Sequence, residues 1–185
     1  MNNDYYSTYN LFHGTTRKAL NEIFEKKEFT FKKRKNHWIG NGVYFFVDDY
    51  NKALWWANEA CRLARKNGVH DSKKAVIFLQ GYRVPRSKII DLDTEQDRQK
   101  INDFITSIPF GMKINNTSEE EKRCTLIDLY VKYEDIYATK KTFRKAELAK
   151  HSKLTAYKID NNEVQFCVFK QETIDFDNIS ERTGG

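Results

Sequence analysis

A chain of 185 residues with 39% apolar and 14% aromatic side chains can bury one substantial core, and its 31% charged residues give it a solvated surface. Two prolines and eight glycines exclude a low-complexity chain, and no apolar run approaches the roughly 20 residues of a bilayer-spanning helix, so no membrane partner is expected. The formal charge of +6 and pI of about 9.1 point to an anionic partner. Residues 9–13 read as a short strand, followed by a helix over 17–27 with Ala19, Leu20, Ile23 and Phe24 on one face and Thr16 as N-cap. The loop "FKKRKNHWIGNG" is rich in base and glycine, and "VYFFV" at 43–47 is a strand.

"DDYNKALWWANEACRLARKNG" is a helix capped by Asp48 or Asp49 and closed by Lys66-Asn67-Gly68. Its apolar stripe runs through Ala53, Trp56, Ala57, Ala60, Cys61 and Ala64, and Trp55 lies about 200° around the axis from Ala53. "AVIFLQGYRV" and "KIIDLD" read as strands, and residues 94–107 as a helix. Residues 119–138 continue as a helix with Ser118 as cap, and 140–153 form a basic, partly helical connection. "EVQFCVF" is the last clear strand, "TIDF" extends the sheet, and the tail "NISERTGG" is expected to fray. No repeat or linker divides the chain.

Cys61, Cys124 and Cys167 make no metal or disulfide spacing and read as buried thiols of a reducing compartment. The stretch "MNNDYYSTYN" has neither a basic start nor an apolar core, so no signal peptide is expected and the chain reads as cytoplasmic. No metal constellation is seen.

Three pieces carry chemistry: His13-Gly14-Thr15 after the first strand, "GNGVYF" at 40–45, and "NNEVQF" at 161–166. Together, and with "WIGNGVYFFVDDYNKALWWA", they resemble the ADP-ribosyltransferase superfamily in its diphtheria-toxin-like and poly(ADP-ribose) polymerase-like branch. The resemblance spans residues 9–175. It implies an α+β, single-domain fold: a split, mostly antiparallel sheet with flanking helices around an NAD cleft. It implies that His13 binds the ribose near the nicotinamide, that Gly14 pairs its backbone with the nicotinamide amide beside Thr15, and that Tyr44 stacks on the ring. Trp55 falls where the polymerases carry a second stacking aromatic.

The family glutamate falls on Gln165 when the last motif is aligned without a gap, and on Glu163 when it is aligned through Asn162-Glu163. Side chains two apart on a strand share a face, so both can reach the cleft. The arginine-modifying branch carries Glu/Gln-x-Glu, whereas the order here is Glu-x-Gln. Glu163 is assigned as the catalytic carboxylate and Gln165 as the group orienting the acceptor. A carboxylate beside the ribose stabilises oxocarbenium-like charge, as in glycoside chemistry.

The reaction implied is transfer of ADP-ribose from NAD, without a metal, by a toxin or defence effector that would have a neutralising antitoxin protein. The basic runs Lys32, Lys33, Arg34, Lys35 and Lys140, Lys141, Arg144, Lys145, Lys150, Lys153 suit a nucleic-acid acceptor, RNA or single-stranded DNA. Other readings stay open: a protein acceptor, an RNA 2′-phosphotransferase, and a non-catalytic NAD- or RNA-binding module. Each residue also has a plain structural reading, His13 and Tyr44 as strand core, Glu163 and the basic runs as solvated charge.

Overall fold

The computed structural model describes residues 5–70, 72–107, 118–144 and 162–183. Among the described residues, seven strands form one sheet: β1 (Tyr6–Thr16), β2 (Val43–Val47), β3 (Lys74–Pro85), β4 (Ile89–Asp91), β5 (Ala138–Arg144), β6 (Asn162–Val168) and β7 (Ile179–Glu181). Their order is β4-β5-β6-β2-β1-β3-β7, and every neighbouring pair is antiparallel except β4 and β5. The described residues also form four α-helices: α1 (Arg17–Lys26), α2 (Tyr50–Lys66), α3 (Glu95–Ser107) and α4 (Glu119–Tyr133). The fold is thus mixed α and β, built on one mostly antiparallel sheet.

The period-2 alternation of β1, β2 and β6 sorts their side chains onto two faces. Leu11, Phe45, Phe166 and Leu79 pack with Leu20 and Ile23 of α1 and with Phe29 on one face. Each such fully buried apolar side chain stabilises the fold by about 1.5–3 kcal/mol. On the other face Phe46 and Val76 pack against Ala53 and Ala57 of α2. The small α2 residues let helix and sheet approach closely. Gly14 shows how closely, because a Cβ there would lie 1.8 Å from the Ala53 carbonyl oxygen.

Thr16 Oγ1 accepts from Ala19 N at 3.2 Å and Asp49 Oδ1 from Lys52 N at 3.0 Å, so both expected N-caps are made. Ser118 caps α4 in the same way. At the far edge, Asp97 of α3 is fully buried. It accepts from Arg86 Nη2 at 2.7 Å, from Asp91 N at 2.8 Å and from Lys100 Nζ at 2.8 Å. This cluster ties α3 to β4.

Four expectations are corrected. The helix expected over 119–138 ends at Tyr133, where Asp135 takes φ 53°, and Ala138–Arg144 is a strand between β4 and β6 rather than a helical connection. The segment "TIDF" lies across two short 3-10 turns, Gln171–Thr173 and Phe176–Asn178, and adds no strand. The tail instead contributes β7, which pairs with β3 and anchors Arg17 through a bidentate ion pair with Glu181. All three cysteines are buried and unbridged.

Candidate functional site

β1 runs alongside β3 from Tyr6↔Pro85 to Thr16↔Lys74, yet its pairing with β2 covers only Leu11↔Val47 and Phe12↔Phe46. Beyond Phe12 the two strands part. His13 bridges the opening: its Nδ1 lies 2.7 Å from the Tyr44 carbonyl oxygen. A carbonyl only accepts, so Nδ1 carries the proton and Nε2 of the neutral ring is an acceptor. Burial pushes the His13 pKa below its ordinary value, against the raising effect of the Tyr44 carbonyl, which favours that neutral form.

A cleft of about 410 Å³ occupies the opening. His13, Gly14, Tyr44 and Gln165 line it, joined by Phe29, Phe31, His37, Trp38 and Trp56, and Lys32 and Arg34 stand at its basic side. The Tyr44 hydroxyl donates to the Gly40 carbonyl at 2.8 Å and accepts from Ile39 N at 3.0 Å. Those bonds fix the ring and tie β2 to the preceding loop. Gly40 takes φ 98°, a left-handed conformation that favours glycine. The loop is held further by Asn41, whose N and Nδ2 both donate to the Asp128 carboxylate at 2.7 Å, and by the Thr139 hydroxyl, which donates to the Ile39 carbonyl at 2.7 Å.

Gln165 sits opposite Phe46 on β6, two residues from Glu163 and on the same face. Both are buried, 4% and 2% exposed. Gln165 Nε2 donates to Glu163 Oε1 at 2.5 Å, and Lys52 Nζ of α2 lies 3.8 Å from Glu163 Oε2. Gln165 reaches the cleft wall, and Glu163 stands behind it, off the lining.

The other expected residues divide. Trp56 lines the cleft and Trp55 does not; Trp55 meets Trp56 edge-on with ring centroids 5.2 Å apart. Thr15 is buried and off the lining. Lys33 is exposed beside Arg34, off the lining. Lys141 lies on β5 with its Nζ 5.8 Å from the Phe143 ring centroid. The side chain of Arg144 and all of Lys145, Lys150 and Lys153 lie outside the described residues. Sequence reasoning missed Phe29, His37 and Trp38 as cleft residues. The signal available for the last two was their place in a basic loop that leads into "GNG".

Among the described residues no group of three or more His, Cys, Asp and Glu side chains is placed to hold a metal ion, and no helix is long and apolar enough to cross a membrane. No protein-family model and no solved structure matches the chain. An uncharacterized protein of Methanocaldococcus jannaschii is similar to it, 40% identical over 53 residues. The similar segment is 28% of this chain and 25% of that protein, so the chain spans about a quarter of the relative's length.

Proposed function

We propose that the chain is an NAD-dependent mono-ADP-ribosyltransferase of the ADP-ribosyltransferase fold, a cytoplasmic toxin or defence effector that modifies nucleic acid. One observation carries this reading: residues distant in sequence, His13, Gly14, Tyr44 and Gln165, line a single cleft at the split between β1 and β2. The chemistry of that lining suits the dinucleotide. His13 Nε2 accepts a hydrogen bond from a ribose hydroxyl. Phe29, Tyr44 and Trp56 offer aromatic surface to a flat ring, and Lys32 offers charge to a pyrophosphate.

NAD supplies the electrophile: its ribose C1′–N bond breaks, neutral nicotinamide leaves with the electron pair, and the acceptor bonds to C1′ and gives up a proton. Gln165 presents its amide oxygen to the ribose, because its Nε2 is held by Glu163. Glu163 acts through that amide and adds negative charge behind it, a preorganised electrostatic contribution as positive charge grows on the sugar. Fixing both ring and ribose uses binding energy for orientation.

A second reading, a non-catalytic NAD- or RNA-binding module, is favoured by one feature: the side chain at the cleft wall is an amide, not a carboxylate. Incubation with adenine-labelled NAD and a choice of RNA, single-stranded DNA and cell protein separates the two. Label entering nucleic acid and lost in Gln165→Ala is the expected result. Label entering protein only moves the acceptor class, and NAD binding with no transfer and no nicotinamide release supports the module.

A further inference from the structure

Beside the cleft mouth lies a feature that the dinucleotide does not require. Trp38 lines the cleft, yet the residue is 41% exposed. Its ring packs against Phe143 of β5, centroids 4.9 Å apart and planes tilted by 49°. Arg123 Nε of α4 donates to the Trp38 carbonyl at 2.9 Å. A large exposed aromatic would ordinarily be mobile; this one is held by a ring behind it and by its own backbone. Lys141 sets a cation against the same Phe143 ring, and Arg34 is exposed four residues before Trp38, its backbone N–H bound to Asn41 Oδ1 at 2.8 Å. The ledge therefore joins a preorganised aromatic face to positive charge from three elements: the 29–42 loop, α4 and β5.

We propose that Trp38, backed by Phe143, is a base-stacking platform for single-stranded nucleic acid, with Arg34, Arg123 and Lys141 meeting the flanking phosphates. An unpaired base has a π-face to offer and a strand alongside it offers closely spaced phosphates; a duplex hides the first and presents only the second. An acidic peptide would use the charge and leave the tryptophan face unmatched. The role of this platform as the acceptor site, delivering a nucleotide to the cleft, rests on the transferase reading; strand binding itself does not.

The test measures affinity of the full chain, without NAD, for a short fluorescein-labelled oligonucleotide as single-stranded RNA, as single-stranded DNA and as a duplex. Single strands bind more tightly than the duplex. Trp38→Ala weakens them about tenfold or more, as loss of one stacked base does, and Trp38→Phe retains most of the affinity. Lys141→Glu weakens binding and flattens its salt dependence. Preference between the RNA and DNA arms names the acceptor. Equal affinity for duplex and single strand, or no change in Trp38→Ala with its fold intact by circular dichroism, overturns the platform. NAD turnover is measured separately: turnover without oligonucleotide binding removes the platform alone, and oligonucleotide binding without turnover removes the transferase reading alone.

Discussion

Gln165 Nε2 donates to Glu163 Oε1 over 2.5 Å, with Lys52 Nζ 3.8 Å from the second carboxylate oxygen. The bond fixes which end of the Gln165 amide faces the cleft. Gln165→Ala is expected to lower kcat by about 10²–10³, the scale of losing one preorganised electrostatic group. Glu163→Gln keeps the shape and loses the charge, so kcat falls by roughly tenfold or more while KM for NAD changes little. Steady-state rates of nicotinamide release check both. Equal loss in KM and none in kcat would make the pair a binding element only.

The two tryptophans of α2 differ in position relative to the cleft. Trp56 lines the cleft and Trp55 supports it edge-on. Trp56→Ala is expected to weaken NAD about tenfold by titration calorimetry, and Trp55→Ala by less, the scale of one aromatic contact.

Gly14 has a packing reason to be glycine that stands apart from any ligand. A methyl there meets Ala53 O at 1.8 Å and Ala57 N at 2.7 Å, both backbone atoms that cannot swing aside. Gly14→Ala is expected to destabilise the fold by about 2 kcal/mol or more. Thermal melts read this as a drop of roughly 4–8 °C for a chain of this size.

His13 predicts an acid-sensitive fold. Burial holds its imidazole below the ordinary 6.5, so the unfolded chain binds the proton more readily than the folded one. Stability is therefore full above about pH 6.5 and falls as pH drops through 6.5 toward the lower folded value. His37, lowered by burial and by Arg34, shifts the same way. Melting temperature between about pH 7 and pH 5 is expected to fall, and His13→Asn, which can still donate to the Tyr44 carbonyl, flattens the slope.

Asp97 gives a structural control away from the cleft. Burial raises its carboxyl, but Lys100, the Asp91 N–H and Arg86 outweigh that and hold it below the ordinary range. Asp97→Ala leaves Arg86 Nη2, Lys100 Nζ and the Asp91 N–H without their shared acceptor and is expected to cost about 3–5 kcal/mol in denaturant unfolding. The nucleotide affinity of the fraction that remains folded is unchanged.

Much of this fold can be read locally. β2 is all β-formers, and Thr16, Asp49 and Ser118 announce their helices. β5 could not be read so: "ATKKTFR" is polar, and its burial comes from partners elsewhere, Lys140 on Asp91 and Thr139 on the Ile39 carbonyl. α4 stops without glycine or proline, at a left-handed Asp135, so helical spacing ran on past its end. Trp56 belongs to the stripe of Ala53 and Ala57, but at that height the sheet has split, and a core position becomes a cleft wall. His13 and Tyr44 stand out in the sequence through the motifs that carry the family resemblance, whereas Trp38 and Phe29 are brought to the cleft by the loop before β2 and carry no such signal.

On the proposed function, this cleft binds NAD and breaks its nicotinamide–ribose bond. Chromatographic measurement of nicotinamide released from NAD by the purified chain, beside Gln165→Ala and the Asp97→Ala control, tests it most directly. Release by the native chain, loss in Gln165→Ala, and retention in the folded fraction of Asp97→Ala are the expected results. No release by a folded native chain in the presence of RNA, single-stranded DNA and cell protein would contradict it.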